Sequence, residues 1–301
     1  MAAPSLVTTS SRTLGAFEVG PIGFGCWRFT HDGVDEARAL LERALDLGMN
    51  LIDTADVYGL DWGGTGFGAN EEVLGTVLAQ APELRERMVL ATKGGIMPPT
   101  PYNSSDEYLT KACDDSLRRL GVDVIDLYQI HRPDVFTHPE ALAATLTKLR
   151  EAGKIREVGV SNYTPAQTDT LQSFCDFRIV SDQPQFSLVH LDPMSDGTFD
   201  RCLRERTVPL AWSPLGGGSL ATGDGLRPEL LAELDRLAAR EGVTRSVVAL
   251  AFVLAHPAAA VALVGTQKLD RLDEMASALT VGLDRDDVYA LIPAATGVPL
   301  P

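Results

Sequence analysis

Cysteines are few in this sequence and long apolar runs are missing, which excludes several classes of protein. The four cysteines, Cys26, Cys113, Cys175 and Cys202, are far apart and form no CxxC pair, so neither a metal site nor a disulfide framework is indicated. No segment reaches the ~18 uninterrupted apolar residues of a membrane span, and the N-terminus lacks the basic and apolar segments of a signal peptide. We therefore expect a cytoplasmic protein that does not enter the membrane.

Basic side chains are also scarce. The 301 residues include 26 Lys and Arg against 41 Asp and Glu, a formal net charge of −15. Such an acidic surface repels phosphate backbones, which argues against nucleic-acid binding, and a phosphorylated ligand would require a local basic cluster. The hydrophobic fraction of 45% is typical of a globular chain with a large core. The length permits a single α/β barrel domain over residues 1–301.

Short β-like runs alternate with amphipathic helical stretches along the chain. Several of the runs are apolar without alternation, as in parallel strands that are buried on both faces. Repeated βα units favour either a closed barrel or an open doubly wound sheet, and no GxGxxG follows the first strand to support the latter. The predicted strands are one within Val19–Trp27 and then Asn50–Asp53, Met88–Lys93, Val124–His131, Ile155–Ser161, Arg178–Gln183, Val208–Ser213 and Val261–Gly265. The predicted helices are Asp32–Leu47, Glu71–Ala79, Ser105–Leu120, Pro139–Ala152, Pro165–Phe174 and Lys268–Leu279, with a long helical region over Arg227–His256.

Polar residues stand at the carboxyl ends of the second, third and fourth predicted strands. Asp53 ends the second strand, and Tyr58 lies in the loop that follows it. Lys93 and His131 end the third and fourth strands. The carboxyl ends of all strands open on one face of a barrel, where active sites are found. The spacing therefore predicts that these four side chains converge.

These residue types suit the reduction of a carbonyl group. A free tyrosine has a pKa of about 10, and a nearby cation favours the phenolate and lowers that pKa. We expect Lys93 to supply the cation and Asp53 to keep Lys93 protonated. His131 would orient a carbonyl oxygen, and Tyr58 would donate a proton to it. The hydride would have to come from a cofactor.

Taken singly, each of these residues has a simpler structural interpretation. A strand-end aspartate such as Asp53 commonly caps the following helix or turn. Tyr58 alone would be a half-buried loop aromatic, and Lys93 alone a solvated strand end. His131, which precedes Arg132 and Pro133, would be an ordinary loop residue. Only their shared placement favours a catalytic site.

The motifs around these residues resemble those of the aldo-keto reductase superfamily, and of its bacterial oxidoreductases in particular. The resemblance extends from about Val19 to about Leu279 and implies a (β/α)8 TIM barrel whose N-terminal hairpin, here Ser11–Val19, closes the bottom. By motif position it implies Tyr58 as proton donor, His131 as carbonyl orienter, and Lys93 with Asp53 as the pair that tunes Tyr58. The motifs are DTADVYG at residues 53–59, Lys93 in ATKGG, His131 in HRPD, GVSNY at 159–163 and AWSPLGGG at 211–218.

The resemblance also implies an extended NADP(H) with its nicotinamide over the barrel mouth. The segment under the cofactor matches Gly25, Cys26 and Trp27, and Trp27 together with Tyr58 and His131 would face the substrate. Trp212 stands where many members have a tyrosine stacked on the nicotinamide. The carboxamide would contact Ser161, Asn162 and Gln183, and the pyrophosphate loop matches Ser213, Pro214, Leu215, Gly216, Gly217 and Gly218.

The basic cluster that a phosphorylated ligand requires occurs near the C-terminal end of the predicted barrel. In the resemblance, Gly265, Thr266, Lys268 and Arg271 match the segment that takes the 2′-phosphate of NADP. Two cations and a hydroxyl at the start of a helix suit a dianion, so we expect NADPH to be preferred over NADH. Glu274 matches an adenine contact, while Met275 stands where many members have asparagine.

Three functions stay open at this stage. The first is an NADPH-dependent reductase of aldehydes or ketones that also runs in reverse as an alcohol dehydrogenase. The second is a non-catalytic or slow NADP(H)-binding scaffold or redox sensor. The third is a Schiff-base aldolase that uses Lys93, which requires a neutral amine.

The substrate and the oligomeric state are not identified by the sequence. We expect the pocket walls to come from the loops Tyr58–Gly68, His131–His138 and Leu191–Phe199 and from the tail after Leu283. The third loop has no basic cluster for a phosphate or carboxylate, which favours a neutral carbonyl substrate. We expect a monomer or a small homo-oligomer.

Overall fold

Eight parallel strands close into a barrel. The computed structural model describes residues 4–30 and 33–300, so Asp32, the predicted start of the first helix, lies outside them. Each strand pairs with the next, and the last pairs with the first, which confirms the predicted (β/α)8 barrel and its N-terminal strand. The strands are β1 (Ile22–Gly25), β2 (Leu51–Asp53), β3 (Val89–Gly94), β4 (Ile125–Ile130), β5 (Ile155–Ser161), β6 (Ile179–Gln183), β7 (Val208–Ala211) and β8 (Val261–Val264).

Helices surround the barrel, and no helix of residues 4–30 and 33–300 is both long and apolar enough to cross a membrane. The predicted helical region Arg227–His256 consists of two helices. Gly242, with φ +68°, ends the first of them in a left-handed conformation that glycine adopts readily. The helices are α1 (Val34–Asp46), α2 (Ala69–Gln80), α3 (Asp106–Leu120), α4 (Pro139–Glu151), α5 (Pro165–Gln172), α6 (Thr198–Glu205), α7 (Ser219–Thr222), α8 (Pro228–Glu241), α9 (Arg245–Ala255), α10 (Leu269–Ala276) and α11 (Arg285–Thr296).

An antiparallel hairpin precedes the barrel, as the resemblance implies for Ser11–Val19. Its strands are Arg12–Leu14 and Phe17–Val19. Leu14 and Val19 are fully buried and belong to the same apolar cluster as side chains from the barrel strands. The hairpin therefore closes the amino-terminal end of the barrel and leaves the carboxyl end for the site.

The C-terminal tail lies outside the site. Helix α11 packs on α8, where the Asp287 carboxylate accepts hydrogen bonds from Arg236 at 3.2 Å and Arg240 at 2.8 Å. The expectation that residues after Leu283 form a pocket wall is therefore wrong. Helix α11, helix α6 and a small hairpin of Ile96–Met97 with Thr100–Tyr102 are absent from the predicted elements.

Candidate active site

The four strand-end residues predicted from the sequence meet at the carboxyl end of the barrel. Lys93 Nζ lies 2.6 Å from Asp53 Oδ2 and 3.3 Å from Tyr58 Oη. The His131 ring contacts the Tyr58 ring edge-on, with centroids 5.7 Å apart. A hydroxyl, an ammonium, a carboxylate and an imidazole therefore occupy one small volume.

Asp53 and Lys93 form a buried ion pair. The second carboxylate oxygen of Asp53 accepts hydrogen bonds from the side-chain amides of Gln129 at 2.9 Å and Gln183 at 3.0 Å. Burial lowers the pKa of Lys93, but Asp53 and Tyr58 outweigh it, and the pKa is raised overall. Lys93 is therefore an ammonium, whereas a Schiff base requires the neutral amine, and this geometry argues against the aldolase alternative.

The pKa of Tyr58 is raised from its ordinary value. Burial disfavours the phenolate, Lys93 opposes that effect, and Asp53 adds to it. Lys93 lowers the pKa of Tyr58 as expected, but the pKa remains above its ordinary value because desolvation of the hydroxyl exceeds the attraction of the ammonium. At neutral pH the hydroxyl is protonated, which is the form that donates a proton to a carbonyl oxygen.

His131 is held as a neutral imidazole. Burial, Lys93 and Arg132 together hold its pKa well below the ordinary range. Its Nδ1 is buried and has no hydrogen-bond partner among the described residues. A neutral imidazole carries one N–H, so His131 has a donor suited to a carbonyl oxygen.

A chain of hydrogen bonds fixes the wall beside His131. Trp212 Nε1 donates to Asn162 Oδ1 at 3.0 Å, and the Asn162 amide donates to Ser161 Oγ at 2.7 Å. Ser161 Oγ in turn donates to the carbonyl of Gln183 at 2.9 Å. The side-chain oxygen of Gln183 accepts no hydrogen bond from the residues the structure describes, so this wall retains an acceptor for an amide N–H.

The loop after β7 carries glycines in conformations that other residues rarely adopt. Gly217 has φ +69° and Gly218 has φ +114°. A Cβ at either position would meet no atom within 4 Å, so the backbone borders open space. Arg28 reaches this loop from the segment after β1 and donates to the carbonyl of Gly217 at 3.4 Å. Backbone amides in such a loop can approach a pyrophosphate closely.

The start of α10 presents two unpaired cations, one at its N-cap and one in its first turn. Lys268 and Arg271 are exposed, and neither side chain bonds to another of the residues described. The Glu274 carboxylate accepts a hydrogen bond from the Thr244 hydroxyl. Free cations beside the start of a helix suit a phosphate dianion.

One cavity of about 930 Å³ joins the regions described above, at the upper end of the range of roughly 300–1,000 Å³ for small-molecule sites. Lys93 is fully buried and does not line the cavity. Gly216 does not line it either, although Leu215 and Gly217 on both sides of it do. Cys26 is a fully buried thiol whose pKa is raised by burial, and it does not reach the cavity. The predicted site residues that line the cavity are Gly25, Trp27, Asp53, Tyr58, His131, Ser161, Asn162, Gln183, Trp212, Ser213, Pro214, Leu215, Gly217, Gly218, Gly265, Thr266, Lys268, Arg271 and Glu274.

Several lining residues are absent from the sequence-based set, chiefly Arg28, Asp61, Arg132 and Thr244. Asp61 and Arg132 lie in the loops Tyr58–Gly68 and His131–His138, which were expected from the sequence to form pocket walls, and Arg28 directly follows the predicted residue Trp27. The loop Leu191–Phe199 supplies no lining residue, so that expected wall is also wrong. Within residues 4–30 and 33–300, no group of three or more His, Cys, Asp or Glu could hold a metal ion.

These features fit an extended dinucleotide. The free oxygen of Gln183 suits a carboxamide, the glycine loop suits a pyrophosphate, and the unpaired cations suit a further phosphate. All three lie along the same cavity as Tyr58 and His131.

Comparisons with known proteins agree with this arrangement. The profile of the Aldo/keto reductase family matches residues 21–293. Similar proteins include a 6-dehydroglucose reductase of Novosphingobium aromaticivorans, 48% identical over 94% of each chain, and one of Agrobacterium fabrum, 35% identical over 93% of this chain and 95% of that one.

Solved structures give the same result. A thermostable aldo-keto reductase bound to the inhibitor epalrestat has a TM-score of 0.81 at 27% identity, covering 94% of this chain and 99% of its own. An aldo/keto reductase of Klebsiella pneumoniae in complex with NADP and acetate has a TM-score of 0.79 at 25% identity, covering 94% of each chain. From its barrel, its site and these similarities, the chain belongs to the aldo/keto reductase family.

Proposed function

We propose that the protein is an NADP(H)-dependent oxidoreductase that reversibly reduces an aldehyde or ketone to an alcohol, with Tyr58 as the proton donor. The observation that carries the proposal is the contact of Lys93 Nζ with both Asp53 and Tyr58 Oη beside a neutral His131. Membership of the aldo/keto reductase family supports it.

The cofactor-binding residues follow from the chemistry of the cavity wall. Ser161, Asn162 and Gln183 would hold the carboxamide, and the Trp212 ring would stack on the nicotinamide. The 2′-phosphate would lie against Thr266, Lys268 and Arg271, which is the reason to propose NADPH over NADH. The related structure from Klebsiella pneumoniae, whose ligand is NADP, supports this cofactor. When bound, the cofactor supplies the hydride.

The protein's own residues would then handle the carbonyl oxygen. His131 donates a hydrogen bond that orients it and stabilises the charge that develops on it. Tyr58 Oη transfers its proton to the same oxygen. The Lys93 ammonium stabilises the phenolate that remains, and Asp53 holds that ammonium in place.

We further propose a sugar aldehyde as the substrate. Two relatives at 48% and 35% identity are named 6-dehydroglucose reductases, and each is matched over more than nine-tenths of its length. The cavity lining includes two polar side chains, Asp61, which accepts a hydrogen bond from the Trp27 indole, and Arg132, which lies near the Trp212 ring. We also propose a cytoplasmic monomer or small homo-oligomer, in keeping with the free thiols of Cys26, Cys113, Cys175 and Cys202.

The experiment that tests the function is the variant Tyr58→Phe. Loss of the proton donor should reduce kcat for 6-dehydroglucose by about 10²- to 10⁴-fold. Binding of NADPH, followed by its fluorescence, should change little, because the ring is retained. Turnover near that of the wild type would contradict the mechanism. A wild-type protein that binds NADPH but does not oxidise it in a single turnover with any aldehyde, ketone or sugar would instead be a scaffold or sensor.

A further inference from the structure

Arg132 is an unpaired cation inside the cavity. It lines the cavity next to His131 and is half-buried, yet its guanidinium has no hydrogen-bond or ion-pair partner among residues 4–30 and 33–300. Carboxylates are abundant in a chain of net charge −15, and buried carboxylates elsewhere do hold arginines, as Glu71 holds Arg119 and Asp126 holds Arg85. An arginine left unpaired in a cavity is therefore available to a ligand.

The carboxylate nearest to Arg132 in sequence is engaged elsewhere. Asp134 accepts hydrogen bonds from the backbone N–H groups of Ser104 at 2.9 Å and Phe136 at 3.0 Å, and from the Thr137 hydroxyl at 2.7 Å. These bonds stabilise the loop after β4. Both carboxylate oxygens of Asp134 are thus hydrogen-bonded to other groups, and Asp134 forms no ion pair with Arg132.

The backbone that carries Arg132 is held on the catalytic wall. The N–H of His131 donates to the carbonyl of Gly94 at 2.9 Å, and the carbonyl of His131 accepts from the Asn162 amide at 3.3 Å. The guanidinium carbon lies 5.9 Å from the centroid of the Trp212 ring. A fixed backbone thus carries this guanidinium to the Trp212 ring, from the residue next to the imidazole that would orient the carbonyl.

A carboxylate and an indole also line the cavity, on the loops after β2 and β1. Trp27 Nε1 donates to Asp61 Oδ1 at 3.2 Å, which fixes that carboxylate at the cavity wall. A hydroxyl both donates and accepts hydrogen bonds, so a ligand with several hydroxyls can satisfy Arg132 and Asp61 together. An anionic ligand would be repelled by Asp61. An apolar ligand would remove water from Arg132 without replacing the hydrogen bonds that the water makes to it.

We propose that Arg132 is a specificity residue that binds the hydroxyl groups of a polyhydroxylated aldehyde while His131 and Tyr58 hold its carbonyl, with Asp61 accepting from a second hydroxyl. The proposal rests on the reductase function proposed above. It identifies the substrate class through the side chains that select it.

Three aldehydes of four carbons test this proposal: threose, which carries hydroxyls, butanal, which carries none, and succinate semialdehyde, which carries a carboxylate. Each is assayed with NADPH on the wild type, Arg132→Ala and Arg132→Lys, together with 6-dehydroglucose. Arg206→Ala is the matched control, because Arg206 is an exposed arginine outside the cavity whose side chain is likewise unpaired among the described residues. NADPH affinity is measured by fluorescence for every variant.

We expect Arg132→Ala to lower kcat/KM for threose and 6-dehydroglucose by about 10- to 100-fold, mainly through KM, the range of one or two charge-assisted hydrogen bonds. Arg132→Lys should recover part of this loss, since it keeps the charge without the planar fork. Butanal turnover, NADPH affinity and the Arg206→Ala control should change by less than about threefold.

Equal losses for threose and butanal would overturn the proposal, because Arg132 would then act on His131 or the cofactor. It would also be overturned by a loss confined to succinate semialdehyde, which would make the residue an anion anchor, or by no loss at all. A wild-type enzyme inactive on all of these aldehydes would refute the proposed function instead.

Discussion

The two ends of the cavity are built in opposite ways. At the catalytic end, Lys93 and Asp53 are buried and bonded to each other at 2.6 Å, with two glutamine amides completing the carboxylate. At the far end, Lys268 and Arg271 are exposed and make no side-chain bond to another described residue. The charges of Lys93 and Asp53 are thus satisfied within the protein, whereas those of Lys268 and Arg271 are left for a ligand.

The catalytic end is therefore preorganised for the reaction, whereas the far end serves to recognise a ligand. The catalytic end needs no rearrangement to place the Lys93 ammonium against Tyr58, because Asp53 already holds that ammonium in position. The far end gains its partner only on binding and stays in contact with solvent, so each contact there is weak and screened by salt. Changes at the first end should therefore be severe, and changes at the second should be modest and selective.

The largest effect is expected from Lys93→Met. This variant leaves the Asp53 carboxylate buried without its cation, which should lower the free energy of unfolding by about 3–5 kcal/mol. Loss of the ammonium beside Tyr58 should also reduce kcat by about 100-fold or more, since proton transfer from Tyr58 loses the charge that stabilises the phenolate. Chemical denaturation and steady-state reduction of an aldehyde measure the two losses.

The double variant Asp53→Asn/Lys93→Met is the control for this prediction. It removes both charges while keeping an acceptor oxygen for the amides of Gln129 and Gln183. Most of the lost stability should return, but the activity should not. A double variant as unstable as the single one would show that an unpaired carboxylate is not the cause of the destabilisation.

Particular residues show how far the sequence predicts this molecule. Asp53, Tyr58, Lys93 and His131 were predictable because the βα rhythm fixes where strands end, and all carboxyl ends face one way. The direction in which the pKa of Tyr58 shifts was not predictable, because burial of its hydroxyl depends on side chains that are distant in sequence. Arg132 and Asp61 lie on irregular loops, whose paths follow from tertiary contacts such as those of Asp134. The division of the helical region Arg227–His256 at Gly242 was not predicted, although a glycine in the left-handed conformation ends many helices.

A second, smaller effect concerns pH at the catalytic end. Alcohol oxidation requires the phenolate of Tyr58, whose pKa is raised above the ordinary value of about 10. The oxidation rate should therefore rise about tenfold per pH unit from neutrality to about pH 10 without levelling off, while carbonyl reduction stays flat over that range. Rates at saturating cofactor measure this, and the affinity for NADP at each pH separates binding from chemistry. A plateau of the oxidation rate near pH 8 would mean that Lys93 outweighs burial.

The smallest effect is expected at the far end, from Arg271→Ala. Because the Arg271 guanidinium is exposed, loss of its contact with a 2′-phosphate should raise the Kd of NADPH only about five- to tenfold. This increase should become smaller as salt is added. NADH lacks that phosphate, so its Kd should not change. Arg285→Ala is the matched control, because Arg285 is an exposed arginine on α11 that lies over the Tyr289 ring, away from the cavity. Fluorescence titration of both cofactors on the wild type and the two variants gives the six constants. Equal losses of affinity for NADPH and NADH would show that Arg271 does not bind the 2′-phosphate. The far end of the cavity would then not differ from the catalytic end by keeping its cations for a ligand.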